Sequence, residues 1–99
     1  MKTLWVNITS HEQKMLLKAL RGTQKVAEPE LVDKLQKLID KIIFSPNRRL
    51  CLTDDEYHYI KLALLDMLNG YLPVHWNNNE IEHALTKLAG TKYSNVSIQ

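Results

Sequence analysis

Glu80 and His83 stand three residues apart in a helix-like stretch, the Glu-x-x-His spacing used by carboxylate metal sites in helical bundles. Such sites need a second copy of the motif and further inward glutamates. The chain has a single copy, with His83 on the polar side of its helix, so no metal is expected. Asp54, Asp55 and His58 supply acid and base groups, but no nucleophile or second histidine accompanies them. Their position just after Thr53 reads instead as complementation of the positive end of a helix dipole. Cys51 lies two residues after Arg49, where a cation could lower a thiol's pKa. It also alternates with Leu50 and Leu52 ahead of a helix, the setting of a small packed hydrophobe. No glycine-rich phosphate loop, Gly-x-Ser-x-Gly elbow or Cys-x-x-Cys occurs. No catalytic residue or cofactor follows from these groups, and a non-enzymatic role is expected.

Two surfaces carry binding chemistry. Lys14, Lys18 and Arg21 fall at i, i+4 and i+7, one side of a helix, and Lys25 continues the row if the helix passes Gly22. Such a row suits a polyanion, since each neutralised phosphate releases counterions. It also suits a plain solvated face opposite Met15, Leu16, Ala19 and Leu20. Helix-turn-helix reading of DNA meets an objection, because the helices available for a groove begin with Asp54-Asp55-Glu56 and with Glu80 and Glu82. The second surface is apolar. In the third helix Tyr57, Ile60, Ala63, Leu64, Met67 and Leu68 form the inward arc. Leu62 and Leu65 fall instead among His58, Lys61 and Asn69, with Tyr59 at the other margin. Burying a leucine is worth roughly 1.5–3 kcal/mol, so a cover is expected, either Leu72–Trp76 of the same chain or a second molecule. Tyr71 and Trp76 are side chains of the type that anchors interfaces. Docking of a protein partner through Tyr59, Leu62, Leu65, Tyr71 and Trp76, as a homodimer, is the leading functional expectation. A small nucleic-acid-binding regulator using Lys14, Lys18, Arg21 and Lys25 is the alternative.

The elements that must position these residues are marked by glycines and prolines. Gly22, Gly70 and Gly90 each follow an apolar-periodic run, where a helix can end in a left-handed residue. Pro29, Pro46 and Pro73 lie at boundaries. The first helix is predicted over about 10–21, opened by Thr9 with Glu12, and the second over about 29–44, with Leu31, Leu35, Leu38 and Ile42 on one stripe beside Val32, Ile39 and Ile43. The third spans about 54–69, opened by Thr53 with Glu56. The fourth spans about 79–89, capped by one of Asn77–Asn79, with Ile81, Ala84, Leu85 and Leu88 inward. Ile8-Thr9-Ser10-His11-Glu12 matches Leu52-Thr53-Asp54-Asp55-Glu56, a weak internal repeat at an offset of 44 residues. Leu4, Val6 and Ile8 alternate with Thr3, Trp5 and Asn7, a strand that needs a partner from Leu50–Leu52, from Tyr93–Ile98 or from another molecule.

The fold class expected is mainly α: a four-helix compact domain of two helical hairpins over residues 1–99, with at most a two-stranded β element. The net charge of +2 conceals a polarity. Residues 1–50 hold ten Lys/Arg against five Asp/Glu (+5), and residues 51–99 hold three against six (−3). No apolar run is long enough for a signal peptide or a membrane span, and the single cysteine forms no internal disulfide. A reducing cytoplasm, with no membrane partner, is the expected setting.

Overall fold

The computed structural model describes residues 3–45 and 49–97. The element order is β1 (Thr3–Asn7), α1 (Ser10–Val26), α2 (Pro29–Ile43), β2 (Arg49–Thr53), α3 (Asp54–Leu68) and α4 (Asn78–Ser97). Each strand runs straight into a capped helix. Thr9 Oγ1 accepts from the Glu12 N–H at 3.0 Å while the Thr9 N–H donates to Glu12 Oε1 at 2.8 Å. Thr53 and Glu56 repeat the exchange at 3.2 and 2.9 Å. Both boxes satisfy donors that the first turn leaves without intrahelical partners. At α4 the cap is Asn77, whose Oδ1 accepts from the Glu80 N–H.

The two strands pair antiparallel, Thr3 opposite Thr53 and Val6 opposite Leu50. The partner of the N-terminal strand is therefore the Leu50–Leu52 segment. Tyr93–Ile98 does not supply it, because residues 93–97 belong to α4; Ile98 lies outside the described residues. Period two puts Leu4, Val6, Leu50 and Leu52 on the inner face, all buried, and leaves Trp5 outside. Beneath the sheet α1 packs on α2 and α3, α3 packs on α4, and α3 and α4 both touch β1. A single buried cluster joins the layers, from Leu4 and Leu52 through Leu20, Leu35, Ile42, Ile60 and Leu64 to Ile81.

Two predicted helix ends are corrected. Helix α1 does not stop at Arg21 but continues through Gly22 to Val26. Gly22 is buried under the segment that follows α3, and a Cβ there would lie 2.7 Å from Val74 Cγ2 and 3.5 Å from Leu72 Cδ1. It is a point of close approach, not a terminator. Helix α4 likewise passes Gly90, where a Cβ would meet nothing within 4 Å, and reaches Ser97. Only Gly70, with φ +77°, adopts the left-handed conformation expected of all three. Ile43, expected beside the buried stripe of the second helix, sits at its last turn and is 40% exposed.

Candidate interaction surfaces

The five residues of the expected apolar surface differ in exposure and in what they touch. Leu62 is 43% exposed and Tyr71 73% exposed. Leu65 is half-buried, and Tyr59 is half-buried against the core. Trp76 is half-buried and set against α1. Its ring is 5.3 Å from the His11 ring, centroid to centroid, and 5.5 Å from Lys18 Nζ, both on α1. Together with the contact of Leu72 and Val74 at Gly22, this lays the segment 72–76 as a strap along α1. The Trp76 Nε1 beneath it is buried and finds no acceptor among the described residues.

On α1 the row Lys14, Lys18, Arg21 and Lys25 is wholly exposed. The longer helix brings Lys25 into line, as the stripe required, and the strap sets an indole beside Lys18.

At its N-terminal end α1 meets the start of α4 around a cleft of about 340 Å³ lined by Thr9, His11, Glu12, Asn79, Glu80 and His83, with Met15 at its base. The carboxylate of Glu80 bonds the His11 imidazole. Lys87 Nζ donates to Glu12 Oε1 at 2.8 Å, across the two helices. Burial pushes the Glu12 carboxyl up, but the Lys87 ammonium and the bonds to Thr9 outweigh it and hold the group below its ordinary 4.5. Glu80 and His83 thus share a cleft, yet the described residues contain no group of three or more His, Cys, Asp or Glu able to hold a metal. Asp54, Asp55 and His58 are exposed on the first turns of α3.

A further surface escaped the sequence reading. Trp5 is 49% and Phe44 79% exposed, and they flank a groove of about 300 Å³ with Lys41, Arg49, Leu50 and Cys51. The Arg49 guanidinium carbon sits 4.7 Å from the centre of the Trp5 ring, a cation–π contact on the outer face of the sheet. Lys41 Nζ donates to the Cys51 carbonyl at 3.1 Å and to Glu56 Oε1 at 2.6 Å, bridging α2, β2 and α3. Cys51 is half-buried. The strand alternation already placed Trp5 opposite Leu4 and Val6, which was the available signal; nothing comparable marked Phe44.

Among the described residues no helix is long and apolar enough to cross a membrane. Comparison with protein-family models, with curated proteins and with solved structures returns no match.

Proposed function

We propose that this protein is a non-enzymatic interaction protein whose working unit is a homodimer. The observation that carries the reading is the large apolar area the fold leaves in water: Trp5, Phe44, Leu62 and Tyr71 are 49%, 79%, 43% and 73% exposed. Aromatic side chains are enriched in interface cores, and a stable contact covers about 800 Å² on each partner. Burying a fully exposed apolar side chain contributes roughly 1.5–3 kcal/mol, and these, already partly covered, contribute in proportion to the area still in water. Two seams are available, the outer face of α3 with Tyr71 and the sheet with Trp5. The polar groups of the cleft support a structural role for that region, since His11 is tied to Glu80 and Glu12 to Lys87 across α1 and α4.

Sedimentation equilibrium over a range of protomer concentrations tests the reading. A dimer that persists in high salt is the expected result, because apolar contacts are not screened. A clean monomer at the highest concentration removes it. The same preparation run over an immobilised polyanion at low salt tests the basic stripe of α1. Retention that Lys14→Glu and Lys18→Glu abolish would replace the dimer reading with the nucleic-acid one, whose support is the exposed row with Trp76 beside Lys18.

A further inference from the structure

In an antiparallel ladder, opposed residues either exchange both backbone bonds with each other or turn both groups away from the partner strand. Two contacts fix which residues of β2 turn away. The Cys51 carbonyl accepts from Lys41 Nζ at 3.1 Å, and the Thr53 N–H donates to Glu56 Oε1 at 2.9 Å. Positions 51 and 53 therefore face outward, and side chains of α2 and α3 cap that edge. Their ladder partners Trp5 and Thr3, and Asn7 opposite Arg49, must turn outward along the other edge of the sheet. Among the described residues no hydrogen bond from another element reaches the N–H or carbonyl of Trp5. Among the described residues, then, side chains of α2 and α3 cap the β2 edge of the sheet, and no hydrogen bond from another element reaches the β1 edge at Trp5.

We infer that the β1 edge pairs with the same edge of a second copy, antiparallel about a two-fold axis at Trp5, to form a continuous four-stranded sheet. The inference rests on the homodimer reading and names its seam. Thr3–Asn7 is TLWVN, without charge, proline or glycine, so nothing on the strand repels or interrupts an identical neighbour. The outward backbone groups at 3, 5 and 7 are symmetric about Trp5. A two-fold axis there sets Trp5 against the partner's Trp5 and Thr3 against the partner's Asn7, and each outward pair exchanges both of its bonds. The two indoles, 49% exposed in the single chain, become cross-strand neighbours on the outer face. A foreign acidic or basic peptide would need complementary charges along the edge, and the strand has none. A second copy fits without them.

The test uses the full chain in sedimentation equilibrium with three substitutions. Trp5→Lys sets like charges opposite each other at the axis, and Trp5→Pro removes the indole and, from the backbone, an outward N–H whose loss an edge strand tolerates. Either should weaken association by at least roughly tenfold, about 1.4 kcal/mol. Leu62→Asp, on the alternative α3 seam, should leave it unchanged. A dimer that survives Trp5→Lys overturns the β1 seam while leaving the homodimer standing, and a monomeric unmodified chain overturns both. Should the Trp5 variants fail to fold, amide exchange on the unmodified protein decides. The Trp5 and Asn7 N–H groups should become protected as protomer concentration rises, while those of Leu4 and Val6, bonded to β2, stay protected throughout. Concentration-independent, fast exchange at Trp5 overturns the inference.

Discussion

Gly22 and Gly90 look alike in the sequence and do opposite things. Both lie inside helices, where glycine is about 1 kcal/mol worse than alanine. At Gly90 a methyl group would meet nothing within 4 Å, so Gly90→Ala should raise stability by about 0.5–1 kcal/mol. At Gly22 the same methyl would sit 2.7 Å from Val74 Cγ2. Valine is stiff at χ1, so relief requires the strap itself to move. Overpacking of this kind typically costs 1–3 kcal/mol, enough to cancel the propensity gain and reverse the sign. Gly22→Ala should therefore lower the urea midpoint, and adding Val74→Ala should restore it. Equal stabilisation by both alanines would show that the strap does not press on α1.

Among the elements, α1 and α4 are clamped by the pair Glu12–Lys87, whose side chains are 14% and 34% exposed. Glu12 also closes the Thr9 capping box, so one carboxylate starts α1 and docks α4. Because its folded pKa lies below 4.5, its contribution is complete above that value and is lost as pH falls through the depressed folded pKa. Glu12→Gln should cost about 1 kcal/mol at neutral pH and flatten the loss of stability on acidification. An acid limb as steep in the variant as in the parent would assign the dependence to other carboxylates. Elements of this kind were largely legible in advance. The capping boxes at Thr9 and Thr53, the strand Thr3–Asn7 and the apolar stripe of α2 are local patterns, set by groups a few residues apart. The ends of α1 and α4 were not, because a glycine stops a helix only where nothing else holds it. Val74 over Gly22 is a contact 52 positions away in the chain. The contacts of Trp76 with His11 and Lys18 are likewise distant in the chain, set by the path of the strap and by no local pattern.

Over the whole molecule, the chain runs strand, helix, helix and then strand, helix, helix again. The offset of 44 residues carries Thr9 onto Thr53 and Val6 onto Leu50, the very residue that Val6 faces across the sheet. The likeness is one of sequence and element order, and α2 and α4 differ in length, 15 against 20 residues. This arrangement makes the sheet the joint between two halves that each have one strand and one helical pair. Leu4, Val6 and Ile8 are 4%, 2% and 7% exposed and enter the core beside Leu50 and Leu52. Losing three such side chains removes roughly 5–9 kcal/mol, the scale of a small domain's entire stability. Deleting residues 1–8 should therefore abolish the cooperative melt and reduce helix content beyond the removed segment, starting with α4, which packs on β1. Circular dichroism of the shortened chain measures this directly. If it melted cooperatively within a few degrees of the parent, the helices alone would hold the core and the sheet would be an accessory. Were the edge of β1 paired as proposed, association would stabilise the strand on which folding is expected to rely.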